Sequence, residues 1–244
     1  MLSMIVDCHA HLAHPDFAAD LDAVVGRMRA AGAVAVNTGS NLEANKKALA
    51  ITSRFPDVLK TAIGLSPHDA NREPLDGNLR FIRAHADEIC AIGEIGFDFH
   101  YFKKEEERET QRQAFIAQLD LAEELNLPAV IHTREAEAEA ISLLAERRQS
   151  DAVLHCFLQP ELLEAAMKAG CLVSLPTLKN KARVSIIESV AEGRVLCETD
   201  SPYLWRGGRN EPANVAEVYG ELERLRGKQF AERAAETALK LFGW

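Results

Sequence analysis

Ile5-Val6-Asp7-Cys8-His9-Ala10-His11 is an apolar run near the start of the chain that closes on two histidines one residue apart. Residues two apart on a β-strand project to the same face, so this stretch, read as a strand, presents two imidazoles side by side at its end. That is a geometry for holding a metal ion. The pair alone is weak, since eight histidines among 244 residues give roughly 0.26 such pairs by chance. Recurrence strengthens it. Later apolar runs end in Gly93-Glu94, Ile131-His132, Leu154-His155 and Thr199-Asp200, so the chain repeatedly stops a strand-like segment on a residue able to bind metal.

Working outward from the first run, Asp16 to Ala31 carries Phe17, Leu21, Val24, Val25 and Met28 at helical spacing and stops at Gly32, a helix C-cap residue. Ala33 to Asn37 reads as a second strand, Leu42 to Arg54 as a helix, Leu59 to Gly64 as a third strand, Leu79 to Glu88 as a helix and Ile89 to Glu94 as a fourth strand. Glu105 to Asn126 is heavily charged but keeps Phe115, Leu119, Ala122 and Leu125 on one stripe, which predicts an amphipathic helix on the outside of a sheet. Pro128 to His132, Ala152 to His155, Cys171 to Leu175 and Val195 to Asp200 supply strands five to eight. Helices at Glu135 to Arg148, Pro160 to Ala169 and Val184 to Ala191 separate them, and helical patterns at Ala213 to Arg226 and Phe230 to Leu241 finish the chain. Eight apolar strands alternating with helices predict an α/β protein with an all-parallel sheet. Its length favours a single-domain (β/α)8 TIM barrel over residues 1–244. An open doubly wound sheet is the rival. It lacks a Gly-x-Gly-x-x-Gly after the first strand, and it would spread the candidate ligands along an edge that a barrel gathers into one mouth.

Composition is that of an ordinary globular chain, 47% hydrophobic and 27% charged. A net charge of −9 weighs against a protein that coats nucleic acid, though bound cations can neutralise substrate phosphates locally. The five cysteines sit in or beside apolar runs and form no Cys-x-x-Cys, which reads as buried thiols in a reducing compartment. Met1-Leu2-Ser3-Met4 has no leader character, and no stretch approaches the ~20 apolar residues of a membrane span, so a cytoplasmic location is expected.

Strict alternation places His9, His11, Asp7, Glu198 and Asp200 toward the barrel axis and Cys8, Ala10, Cys197 and Thr199 toward the helices; His132 and Arg134 share a face, and His155 faces in while Cys156 packs out. The inward set His9, His11, Glu94, His132, His155 and Asp200 is too large for one tetrahedral site and suits two divalent ions bridged by a carboxylate, for which Glu94 is the natural candidate. Mixed imidazole and carboxylate ligands admit zinc, manganese, magnesium, iron or nickel.

The motifs Asp7-Cys-His-Ala-His11-Leu12, Gly93-Glu-Ile-Gly-Phe-Asp98, His132-Thr-Arg134, His155-Cys-Phe157 and Glu198-Thr-Asp-Ser-Pro202, with Arg209-Asn-Glu-Pro212 after them, resemble in kind and order the signatures of the TatD family of metal-dependent deoxyribonucleases, within the amidohydrolase-like superfamily. The resemblance implies one metal held by His9, His11, Glu94 and Asp200 and a second held by Glu94, His132 and His155. Catalysis falls to Asp200 and Glu94, with Asp200 serving the attacking water, and the substrate is single-stranded DNA trimmed from its 3′ end. Hydrolysis of another bond at the same metal pair, such as a D-aminoacyl-tRNA ester or a small amide or lactone, is the alternative. Where the family commonly has Gly-x-His-Pro after the third strand, this chain has Gly64-Leu-Ser66-Pro67 with His68 beyond the proline, and within Thr237 to Phe242 the family's usual asparagine is replaced. The expected substrate contacts are Arg134, Ser66, His68, Tyr203, Arg206 and Arg209. Phe97, Phe99, Tyr101 and Phe102, followed by Lys103 and Lys104, either stack on bases or cap the core.

Overall fold

The computed structural model describes residues 4–149 and 151–244; the reading of Met1 to Ser3 as leaderless lies outside them. Eight strands run β1 Ile5–Ala10, β2 Ala33–Thr38, β3 Leu59–Ile63, β4 Ala91–Asp98, β5 Ala129–Arg134, β6 Ala152–Leu154, β7 Leu172–Leu175 and β8 Val195–Cys197. They form one sheet in the order of the sequence, every adjacent pair parallel. The helices are α1 Leu21–Ala31, α2 Leu42–Arg54, α3 Leu75–Ala84, α4 Glu105–Leu125, α5 Glu137–Arg147, α6 Leu163–Lys168, α7 Lys181–Ser189, α8 Ala216–Arg226 and α9 Lys228–Phe242. This is the (β/α)8 barrel, with a core of buried aliphatic strand residues facing helical side chains such as Val25, Phe115, Ile187 and Leu222. Each such side chain contributes roughly 1.5–3 kcal/mol by leaving water.

Local chemistry sets the element ends. Gly32 ends α1 in the left-handed conformation at φ 64°. Asn41 and Asn180 cap α2 and α7 by accepting the N–H of Ala44 and Arg183. The helix expected from Asp16 divides into a 3-10 turn at Pro15–Phe17 and then α1. Likewise α3 begins at Leu75, directly after Pro74, rather than at Leu79.

Two departures from a regular barrel position the site. β1 and β4 each carry a register shift, between Asp7 and Ala10 against β2 and between Gly93 and Ile95 against β5. In each, one extra residue is accommodated, a bulge of the kind that re-aims a side chain. The second departure is the closing seam. β8 and β1 share only the bridge Ala10 to Ser201. Around it His11 N–H donates to Ser201 O at 2.8 Å, Asp200 N–H donates to His9 O at 2.9 Å, and the Tyr219 hydroxyl bonds the backbone of Val6. The seam therefore runs through residues expected to bind metal.

Candidate metal centre

The β1 bulge and the turn after β8 bring His9, His11 and Asp200 together. His9 Nε2 and His11 Nε2 lie 3.1 Å apart. Glu94 Oε2 stands 3.6 and 3.5 Å from these nitrogens, and Asp200 Oδ1 stands 3.8 and 3.5 Å from them. The other oxygen of Glu94, Oε1, is 2.9 Å from His132 Nδ1, which in turn is 3.1 Å from His155 Nε2. The His155 ring stacks on His9 with centroids 4.1 Å apart. Glu94 thus reaches one imidazole pair with each carboxylate oxygen.

The outer nitrogens fix how these rings present themselves. His11 Nδ1 donates to Thr38 O at 3.1 Å and His132 Nε2 donates to Asp98 Oδ2 at 3.3 Å, leaving the facing nitrogen of each ring as a lone-pair donor. His155 Nδ1 lies 3.6 Å from Glu198 Oε1, itself inside a buried group with Ser174 and Cys8. Two imidazole nitrogens facing at 3.1 Å need a proton or a metal cation between them, and the site contains two such pairs. Burial alone would lower His11 and raise Glu94; instead Asp200 and Glu94 raise His11 to about 9, Asp98 and Glu94 raise His132 to about 10, and the histidines hold Glu94 well below the carboxylate range. Asp200 is lowered as well against the effect of burial, chiefly by His11. His9, buried beside His155 and His11, is lowered. The carboxylates thus draw protons onto the rings, the compensation that divalent cations supply to such a donor set. The residues fit metal.

Alternation around this site is not strict. Cys8, expected to face the helices, has its thiol 4.0 Å from Glu198 Oε2, and Asp7 and Thr199, expected on opposite faces, are bonded to each other. The bulge in β1 breaks the period. β4 was expected to stop at Glu94 but continues to Asp98, so Glu94 sits within the strand at its bulge. Gly64 and Gly96 make room for that path. A Cβ on Gly64 would meet the Glu94 carbonyl oxygen at 2.9 Å, and one on Gly96, at φ 133°, would meet the His132 carbonyl oxygen at 2.2 Å.

A cavity of about 640 Å³ opens over the cluster, lined by Ser66, His68, Tyr101, Arg134 and Tyr203 among others. His68 Nε2 bonds Asp98 Oδ2 at 2.9 Å and its ring edge meets His132. Ser66 is buried, its hydroxyl 3.4 Å from Asp69 Oδ2. Tyr203 approaches His11 edge-on. Arg134, exposed, makes no ion pair among the described residues and lies over the Tyr101 ring at 5.0 Å.

Arg209, expected at the substrate, is placed away from the cavity. Its guanidinium is held by Asp20 Oδ1 and Oδ2 at 2.6 and 2.7 Å and by Asp16 O, above the Phe17 ring, so it ties the loop after β8 to the start of α1 and does not line the cavity. Arg206 is exposed in the same loop, also outside the cavity lining. Of the aromatic run, Phe97 and Phe99 are buried and Phe97 packs on Phe115, whereas Tyr101 is 60% exposed. The sequence reading missed Asp98, although its spacing of four from Glu94 along a strand signals it. Missed too were Gln111 and Gln118, seven apart on the buried stripe of α4. Gln118 clamps Leu65 through both backbone groups, and Gln111 joins Asp98 N–H to Pro67 O.

The family model described as TatD related DNase matches residues 6–243. Human deoxyribonuclease TATDN3 is 31% identical over 258 residues, covering 98% of this chain and 94% of that protein. The 3′-5′ ssDNA/RNA exonuclease TatD of Erwinia tasmaniensis is 32% identical, covering 96% of each, and the metal-dependent hydrolase YabD of Bacillus subtilis is 32% identical, covering 98% and 99%. The crystal structure of YJJV, a TatD homolog from Escherichia coli, superposes over the whole of both chains with a TM-score of 0.88 at 24% identity, a likeness of fold. With the family model spanning nearly its entire length, the chain belongs to the TatD-related DNase family.

Proposed function

We propose that the barrel hydrolyses phosphodiester bonds of single-stranded DNA from the 3′ end, using two divalent ions. The observation that carries this reading is the division of Glu94, one oxygen toward His9 and His11 and the other toward His132 and His155. His9, His11, Glu94 and Asp200 would hold one ion, and Glu94, His132 and His155 the other. When bound, such ions activate the attacking water and draw charge from the phosphoryl oxygen. Asp200, lowered in pKa and facing the same cavity, stands ready as a carboxylate to accept the water's proton. Arg134 offers a guanidinium with no competing carboxylate among the described residues, and so can take a non-bridging phosphate oxygen. His68, fixed by Asp98, and Ser66 line the wall where the scissile group lies. The substrate and polarity follow the exonuclease relative.

No helix among the described residues is long and apolar enough to cross a membrane. We place the protein in the cytoplasm, where its free thiols stay reduced.

The test is a metal-depleted preparation reloaded with one ion at a time and assayed on a 5′-labelled single-stranded oligonucleotide and on an aminoacyl-tRNA ester. Stepwise shortening from the 3′ end, only in reloaded samples, is expected. Ester hydrolysis without DNA cleavage would overturn the assignment.

A further inference from the structure

The segment after β4 forms a wall of the cavity beside the proposed metal ligands. Its organiser is Asp98, whose Oδ1 accepts the N–H groups of His100 and Tyr101 at 2.9 and 3.0 Å. Glu135, directly after β5, holds the same segment, bonding His100 Nδ1 at 2.6 Å and Lys103 Nζ at 2.8 Å. The Tyr101 backbone is therefore fixed, yet its side chain is 60% exposed and lines the cavity. A fixed backbone and an exposed side chain leave a large aromatic surface open to the cavity.

Three neighbours also fix the ring. The Arg134 guanidinium lies over it at 5.0 Å, the His68 ring meets it at 5.6 Å and 68°, and the His100 ring meets it at 4.7 Å and 83°. One face is thus backed by a cation, and the two imidazoles approach in edge-to-face geometry. The remaining exposure offers a flat, electron-rich surface whose orientation has been set before any ligand arrives, which removes part of the entropic cost of binding. His68 spans the gap to the metal centre: its ring meets Tyr101 on one side and His132, at 5.5 Å, on the other. A single imidazole thus lies between Tyr101 and the proposed metal ligand His132.

We propose that Tyr101, backed by Arg134, is a nucleobase-stacking subsite that receives a base at the end of a single strand and so sets which phosphate reaches the metal centre. The proposal rests on the nuclease reading above. Stacking on an aromatic face is tolerant of base identity, because every base has a π surface, but it requires that the base be unpaired. The subsite therefore selects single strands over duplex ends.

The experiment measures kcat and KM of the metal-loaded enzyme on a single-stranded oligonucleotide and on versions in which a tetrahydrofuran residue replaces the last or the penultimate nucleoside. Wild type, Tyr101→Ala and Tyr101→Phe are compared, with metal content measured for each. Removing the base at one of the two positions is expected to raise wild-type KM about tenfold or more, with a smaller change in kcat. Tyr101→Ala should raise KM similarly on the intact strand and add nothing on that base-free strand, while Tyr101→Phe rescues the low KM. If the intact strand is cut and Tyr101→Ala discriminates base from no base as wild type does, the subsite proposal is overturned and the nuclease reading stands. If no oligonucleotide is cut with any metal loaded, the nuclease reading itself fails.

Discussion

Asp7 and Thr199 are joined twice across the closing seam: Thr199 N–H donates to Asp7 Oδ1 at 2.8 Å and the Thr199 hydroxyl donates to Oδ2 at 2.5 Å. Asp7 Oδ1 also accepts the N–H of His9, and Thr199 Oγ1 accepts the N–H of Ser201. One buried carboxylate thereby locks the backbone of a proposed ligand in β1 to the turn that carries Asp200. Asp7→Ala is expected to cost about 1–3 kcal/mol of stability, the penalty for stranding buried donors, and to lower metal retention. Chemical denaturation and metal analysis of the purified variant check both; unchanged retention would mean that the seam holds its shape without this pair.

Glu94 serves both imidazole pairs, whereas His132 faces only one of them. Glu94→Ala should therefore lose both ions and His132→Ala only one. Stoichiometry after dialysis against trace metal reads this directly, and equal losses in the two variants would contradict a bridging carboxylate.

Asp200→Asn preserves the side chain's shape and its backbone bonds to His9 and Tyr203 but cannot accept a proton. A fall in kcat of about 10²–10⁴-fold is expected with the fold intact. Wild-type kcat in a fully metal-loaded variant would remove Asp200 from the role of base.

Gly96 adopts φ 133° beside the His132 carbonyl. Gly96→Ala is strained by both backbone conformation and contact, and a loss of about 2 kcal/mol or more is expected by thermal or urea unfolding. Gly220, in α8 with open space around its Cβ position, is the control: Gly220→Ala should stabilise by about 0.4–1 kcal/mol.

Arg209 is committed to Asp20 and to the loop in which it lies. Arg209→Ala should lower the melting temperature slightly, because a solvent-screened ion pair contributes little, and leave KM for an oligonucleotide within about twofold, because Arg209 lies outside the cavity lining. A large rise in KM would return Arg209 to the substrate.

Alternating apolar strands and helices made the barrel legible, and the strand-end histidines showed which residues would meet. Strand periodicity could not show where the period breaks. The bulge in β1 put Cys8 against Glu198 and paired Asp7 with Thr199, and the longer β4 brought in Asp98. Both are tertiary outcomes of fitting strands together at the mouth. The partner of Arg209 was hidden for a different reason: sequence reveals a charge but not its partner, and Asp20 lies 189 positions away. Gln111 and Gln118 carry no signal of their own in the sequence, because their role lies in the segments after β3 and at the end of β4 that they hold.

The bulge at Glu94 has a bearing on how such a barrel can vary. β4 keeps regular register with β5 on both sides of that residue, from Ile92 with Ala129 to Asp98 with Arg134. The offset lets Glu94 and Asp98 both meet His132. The arrangement depends on residue count more than on the chemistry of the residues between. Inserting or deleting a single position from Gly93 to Asp98 would turn one carboxylate away from the imidazole, even with every side chain kept. β4 therefore behaves as a fixed ruler, in which the number of residues between Glu94 and Asp98 sets which side chains meet His132.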